Sequence, residues 1–201
     1  MVFSIVTTTH NSERFLDETI QSVISQRGGF EIEYIIIDSL STDNTREIIE
    51  YYKKQVNNND YNINCQKVRI KTLYEADKGM YDGLTKGFKM AKGDIIAYIN
   101  SDDFYLPNAF LTVQKTFKYY PVNWITGVNT FYNELGIIAS NELPYHYSSD
   151  YIKKGVYGKS LPYIQQESVF WRSGLMKRAS IDYNKFSELK YAGDFYLWNQ
   201  F

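Results

Sequence analysis

The first 120 residues alternate between short apolar, β-branched runs and amphipathic stretches of helical period, and no other feature restricts the fold as strongly. Val2-Phe3-Ser4-Ile5-Val6-Thr7 has the character of a strand buried on both faces. Asn11 and Ser12 then offer N-caps to a helix with the stripe Leu16, Ile20, Val23 and Ile24, and Gly28-Gly29 offers its stop. A second strand is expected over 32–38, and Ser41-Thr42-Asp43 can cap a helix carrying Ile48, Ile49, Tyr52 and Val56. After a polar loop at 57–64, residues 68–74 read as a third strand. Met80, Leu84, Phe88 and Ala91 read as a third helical stripe ended by Gly93, and 95–100 as a fourth strand. Pro107 suits a helix first turn and precedes Phe110, Val113 and Phe117 at helical spacing. Strands alternating with helices predict an α/β chain whose mostly parallel sheet is covered on both faces, with right-handed crossovers. Ligands of such sheets bind beyond the carboxyl ends of the strands, so the residues just after each strand are the candidates for function.

After residue 120 the rhythm breaks. Residues 124–131 and 135–139 resemble strands around a turn at Asn133-Glu134, 148–154 a short helix, 168–172 a strand and 193–201 a helix start. No repeat or low-complexity linker interrupts 1–201, which is read as one domain. The abrupt end at Phe201 leaves a longer chain open. With 22 basic and 23 acidic residues the net charge is −1, which excludes a nucleic-acid binder working through bulk charge. One cysteine, Cys65, excludes an internal disulfide and a thiolate zinc site, and two histidines leave little for a His-rich metal site. Neither a membrane span nor a secretory leader is visible. Tyr and Phe raise the aromatic share to 17%, which suits a core, a sugar-stacking surface or an interface.

The strand ends are rich in hydroxyls and carboxylates: Thr7-Thr8-Thr9-His10-Asn11, then Asp38-Ser39, Glu75-Ala76-Asp77-Lys78-Gly79, and Asn100-Ser101-Asp102-Asp103. No GxGxxG and no GxxxxGK[ST] follows any strand, which argues against a dinucleotide oxidoreductase and a P-loop NTPase. A phosphate ligand here calls for a metal instead, and Mg²⁺ typically uses one or two carboxylates plus substrate phosphates. Asp102-Asp103 fits that role; it also fits a pair of loop and cap aspartates before Pro107.

Taken in series, SIVTTTHN (4–11), IIIDSLSTDNT (35–45), EADKGMYDGLTKGF (75–88), GDIIAYINSDDFYLP (93–107), QQESVFWR (165–172) and AGDFYLW (192–198) resemble the family 2 glycosyltransferases of the GT-A, nucleotide-diphospho-sugar transferase fold. The block DKGMYD…KG is similar to members that build bacterial surface polysaccharides. The resemblance implies that Thr7, Asn11 and Asp38 meet the nucleotide base, with Ser39 standing where the family has a second Asp. It implies that Asp77 and Gly79 close over base and ribose, that Asp102 faces ribose and diphosphate, and that Asp103 coordinates a divalent metal, Mn²⁺ or Mg²⁺. Gln166 stands near the diphosphate, and Asp194 is the catalytic base. Thr85 replaces an asparagine common in the family.

These roles imply an inverting, metal-dependent transfer from a nucleotide-diphospho-sugar, UDP-linked by default, to a hydroxyl of a glycan or lipid-linked saccharide. They also imply a cytoplasmic protein with room for peripheral membrane association and no nucleic-acid partner. The metal neutralises the leaving diphosphate, and a carboxylate across the sugar removes the acceptor proton. Residues 1–120 form the nucleotide-binding half and 121–201 the acceptor-side half. Asp194 also reads as an N-cap. Glu167 could face the acceptor, His10 reads as base contact or structural residue, and Lys86 with Asp82 as a helix-surface pair. Trp171, Tyr196 and Trp198 read as core before sugar platform. A nucleotidyltransferase and a non-catalytic nucleotide- or sugar-binding domain are the alternatives. The first wants a basic, glycine-rich loop near the N-terminus; the second needs neither Asp103 nor Asp194.

Overall fold

The computed structural model describes all 201 residues. β1 (Val2–Thr9), α1 (Leu16–Ile24), β2 (Gly28–Asp38), α2 (Thr45–Asn57), β3 (Cys65–Tyr74), α3 (Met80–Met90), β4 (Ile95–Tyr98) and α4 (Ala109–Tyr119) follow in the expected alternation. β5 (Trp124–Ile125), β6 (Asn129–Tyr132), β7 (Ile138–Glu142), α5 (Ser149–Lys153), β8 (Phe170–Arg172), α6 (Ser173–Arg178), α7 (Tyr183–Ser187) and α8 (Gly193–Gln200) complete the chain. The six-stranded sheet runs β3-β2-β1-β4-β8-β5. The first four strands are mutually parallel, and β8 lies antiparallel to both β4 and β5. From β1 the chain builds outward through β2 and β3, then returns to place β4 on the other side. The β1/β4 boundary is therefore the switch point where an open α/β sheet leaves a crevice.

Strand alternation divides the core into two layers. Phe3, Ile5, Tyr34 and Ile36 pack with the apolar stripes of α1, α2 and α4. Val6, Ile35, Ile37 and Tyr98 pack with α3, α7 and α8, and Trp171 and Trp198 are buried there as core. α3 approaches β1 closely because it carries Gly83 and Gly87: a Cβ on the first would lie 2.8 Å from Thr8 Cγ2, and one on the second would overlap Val6. No helix is long and apolar enough to cross a membrane.

Several local expectations are corrected. Asn11 and Ser12 do not cap α1; Phe15 is its N-cap residue, without a side-chain bond, and Asn11 adopts a left-handed φ of 51°. Gly28-Gly29 begins β2, because α1 has already ended at Ile24. Asn44 rather than the 41–43 triplet sits at the α2 N-cap, and α4 begins two residues after Pro107, behind a left-handed Asn108. The run 124–131 splits. β5 stays in the main sheet while β6 leaves to pair with β7, and Gly127 N–H between them donates to the Ser168 carbonyl. α6 and α7 are unexpected, since five or six residues are too few to display a helical period. α7 does carry a signal, an Asp182 cap accepting from the Asn184 and Lys185 N–H groups.

Candidate active site

Two cavities open side by side where β1, β2 and β4 end, and Asp102 lines both. The smaller, of about 530 Å³, is walled by Thr8 and Thr9 at the end of β1 and His10 after it, Ser39 after β2, Asp77 and Gly79 before α3, and Asn100 and Ser101 after β4. The larger, of about 810 Å³, has Asp103, Tyr105 and Glu167 at one end and the α4 and β6 surfaces at the other.

α1 fixes the β4 turn through its polar face: Thr19 Oγ1 donates to the Asp103 carbonyl (2.8 Å), and Ser22 Oγ accepts from Tyr105 N–H (3.1 Å). Ser12 and Ser101 join hydroxyl to hydroxyl at 2.9 Å, tying the β1 and β4 ends together. The loop before α3 is held by Asp77 N–H donating to Ser39 Oγ (3.2 Å) and by Asp77 Oδ1 accepting from Gly79 N–H (2.9 Å). Gly79 has φ 131°, a conformation open to glycine. Lys86 does more than pair with Asp82. Its ammonium donates to the Ala76 carbonyl (2.7 Å) and meets Glu75 at 3.1 Å, so it pins the same loop. His10 Nδ1–H donates to the Ser39 carbonyl at 2.9 Å while its ring lines the crevice.

Of three residues expected at the base, Thr7 and Asp38 are buried behind the wall and Asn11 is exposed outside both cavities. Thr7 is fully buried, with its hydroxyl accepting from Tyr34 OH (3.1 Å); strand alternation turns it into the α1/α4 layer and Thr8 to the opposite face, while Thr9 reaches the crevice because it is the last residue of the strand. Asn11 lines neither cavity. Its Oδ1 accepts from the Thr42 N–H (2.8 Å), and its own N–H donates to Ser41 Oγ (2.9 Å). Asp38 is 1% exposed, and its carboxylate accepts from Thr9 Oγ1 (2.9 Å), Ser41 Oγ and Ser41 N–H (3.1 Å). Thr7 and Asp38, expected at the base, spend their side chains on internal bonds, those of Asp38 shaping the 39–42 turn. Asp38→Ala is expected to strand these donors and cost about 3 kcal/mol of stability. For a chain of this size that is a fall of roughly 6–12 °C in Tm. An unchanged Tm with lost nucleotide affinity would restore the direct contact.

The electrostatics are one-sided. The two cavity walls hold Asp77, Asp102, Asp103 and Glu167 and no Lys or Arg. Burial, then the Glu167 and Asp102 carboxylates, push Asp103 up to about 6, against a lowering contribution from Asn100, whose Nδ2 donates to it at 3.0 Å. Gln166 is buried and donates through Nε2 to Glu167 Oε1 (2.7 Å); Gln166 Oε1 and Glu167 Oε2 are buried without a partner. No three His, Cys, Asp or Glu side chains converge tightly enough to cage a metal. Two adjacent carboxylates, an orphaned third nearby and no competing cation nonetheless fit a hard divalent ion completed by ligand oxygens. Asp194 lies in the first turn of α8, half-buried. Burial raises its pKa, while the Phe195 N–H and its own N–H lower it. It lines neither cavity. Its link to them is Tyr98 at the end of β4, whose hydroxyl is raised by burial and by the neighbouring Asp194, Tyr81 and Glu167 groups and has no hydrogen-bond partner.

Residues 4–177 match the family described as Glycosyl transferase family 2. The chain belongs to this family. An uncharacterised glycosyltransferase of Nostoc is 28% identical over 118 residues, 59% of this chain and 33% of that protein. The poly(ribitol-phosphate) beta-N-acetylglucosaminyltransferase TarS of Staphylococcus aureus is 28% identical over 105 residues, 52% of this chain and 17% of TarS. The chain spans well under half the length of these curated relatives. The crystal structure of TarS 1-349 with UDP superposes with a TM-score of 0.68 at 19% identity, covering 98% of this chain and 54% of that one. The mannosyltransferase PcManGT of Pyrobaculum calidifontis, solved with GDP-Man and Mn²⁺, gives 0.58 at 14% identity over 88% of this chain and 46% of that one. The fold of this family 2 chain is accordingly GT-A. Tyr98 is core, as the buried strand implied, and Tyr105 is core that also lines the larger cavity; sequence reasoning missed the crevice positions of Thr8 and Thr9. For Thr8 a signal existed, since alternation sets it on the opposite face from Thr7.

Proposed function

We propose that the chain transfers a sugar, with inversion, from a nucleotide-diphospho-sugar to a hydroxyl of a surface glycan or lipid-linked saccharide. The observation that carries this reading is the pair of cavities meeting at Asp102 at the sheet's switch point, whose charged lining is carboxylate, with no Lys or Arg. Family membership supports it. So do TarS structures holding UDP and UDP-GlcNAc, which make UDP the default nucleotide. In this reading residues 1–120 bind the nucleotide and 121–201 face the acceptor. The smaller cavity takes base and ribose against Thr8, Thr9, Ser39, Asp77 and Gly79. Asn11 and Asp38 brace that wall. Asp102 faces ribose and diphosphate, and Gln166 offers its free Oε1 nearby.

Asp103, with Asp102, would hold Mn²⁺ or Mg²⁺, which when bound supplies the positive charge that the walls lack for a diphosphate. Asp194 Oδ accepts the acceptor hydroxyl proton as the new C1–O bond forms. The old C1–O bond breaks with its electron pair going to the nucleoside diphosphate. One base acting opposite the leaving group inverts the anomeric carbon. Burial makes Asp194 a stronger base than a solvated carboxylate, and the α8 N-terminus keeps it ionised. A lipid-linked acceptor would bring the chain to the cytoplasmic face of a membrane.

The test is a thermal titration with UDP, with and without Mn²⁺. A ligand that binds only the folded chain raises Tm by mass action. Stabilisation by UDP that requires Mn²⁺, with slow hydrolysis of UDP-sugar, is the expected result. Metal-independent binding with no hydrolysis would favour a non-catalytic nucleotide-binding domain.

A further inference from the structure

A third cavity, of about 220 Å³, lies beside the larger one and shares with it Thr126, Gly127, Asn129, Gln165 and Ser168. Its walls are unlike those of the nucleotide crevice. Tyr145, Tyr147 and Tyr163 supply rings, and Asn129, Gln165 and Glu142 supply hydrogen-bonding groups. Tyr145 and Tyr163 are 50% and 56% exposed, yet both rings have fixed seats. The Tyr163 ring lies over Gly158, which has φ 93° and where a Cβ would overlap the ring. Tyr145 packs edge-on to Tyr147 (6.3 Å between centroids) and Tyr147 edge-on to buried Tyr157 (4.9 Å). Tyr157 in turn accepts from Ser148 N–H at 2.9 Å. Large exposed rings held in place offer flat apolar faces without an ordering cost on binding.

We infer that this cavity is a second saccharide subsite, which takes the sugar unit of an acceptor chain next to the unit being modified, and that the acceptor it takes is an uncharged oligosaccharide rather than a polyol phosphate. The inference rests on the glycosyltransferase reading and narrows its acceptor. Sugar rings have C–H faces that lie on aromatic rings and hydroxyls at the rim that reach amides and carboxylates, which is the chemistry present here. Charge decides against a polyanion. Glu142 is the one charged residue lining the small cavity, and Asp102, Asp103 and Glu167 are those of the adjoining one. A phosphate in the small cavity would meet the Glu142 carboxylate and find no Lys or Arg on either wall to pair with, and like charges brought together oppose binding. In this respect the trough does not suit the poly(ribitol-phosphate) that TarS is named for.

The test titrates the full chain with chitotriose, cellotriose and maltotriose, and with a ribitol-phosphate trimer, in the presence and absence of UDP and Mn²⁺. Saturable binding of at least one neutral trisaccharide is expected, and none of the phosphate trimer. Tyr145→Ala and Tyr163→Ala are each expected to weaken the neutral ligand about tenfold, and Tyr163→Phe, which keeps the ring face, to leave it unchanged. UDP·Mn²⁺ affinity stays constant in all three variants. Binding of the phosphate trimer alone, binding of no trisaccharide, or binding indifferent to both alanine changes would each overturn the inference. Absence of UDP binding would instead remove the donor reading, because the saccharide titration without UDP stands by itself.

Discussion

In the proposed reaction, Asp194→Asn is expected to lower sugar transfer by roughly 10²–10⁴-fold, the contribution of a positioned general base, and to leave UDP-sugar affinity unchanged. The amide keeps the volume of the side chain but cannot take up a proton at neutral pH. Two features favour Asp194. Its burial raises its proton affinity, and its position in the first turn of α8 keeps the charged form accessible. Steady-state kinetics with UDP-sugar and a separate UDP titration distinguish the outcomes. A loss confined to UDP-sugar affinity would make Asp194 a binding or capping residue. Undiminished transfer would move the base to Glu167, whose Oε2 is buried without a partner.

With Asp103 as the proposed cation ligand, Asp103→Ala is expected to abolish the Mn²⁺-dependent part of UDP binding while the fold survives. The Asp103 side chain is tied to the chain by one bond, from Asn100, and its own burial and its carboxylate neighbours disfavour its charge. Removing it therefore relieves repulsion in the apo chain and deletes a cation ligand from the loaded one. UDP titrations at fixed Mn²⁺ measure the effect, and metal-dependent affinity surviving in a folded variant would sink the assignment. The same group gives wild-type binding a pH profile. A carboxyl whose pKa lies at about 6 must lose its proton before it can hold a cation. Mn²⁺-dependent affinity is thus flat above about pH 6 and falls by about tenfold per unit below it. Asp103→Ala removes both the affinity and the profile.

Where the physics is local, it could be read from the residues. The alternation that ends at Tyr119 sets the order of the first four strands and helices, because buried strands need β-branched apolar runs and helices need a stripe. The carboxylates of 102–103 and the loop of 77–79 were legible for the same reason: they follow strands, and strand ends face the crevice. Beyond residue 120 short elements carry too few residues to show a period. The antiparallel insertion of β8 between β4 and β5, and the departure of β6, depend on partners distant in sequence. Side-chain direction was the other limit. Thr7 and Asp38 stand at the right strand ends, yet pleat and turn geometry aim them inward, where Tyr34, Thr9 and Ser41 satisfy them, and Asn11, exposed, is taken up by Thr42.

By itself, then, the sequence determined an α/β sheet with its polar strand ends together, since hydrophobic period and turn chemistry act within a few residues. Tertiary structure alone decided which of those polar groups face the cavities. It brought Glu167 to Asp103 from 64 positions away and set the tyrosines of 145–163 along a trough. Burial and like-charge proximity, which set the proton affinity of Asp103, are properties of packed neighbours and have no counterpart in the order of residues along the chain.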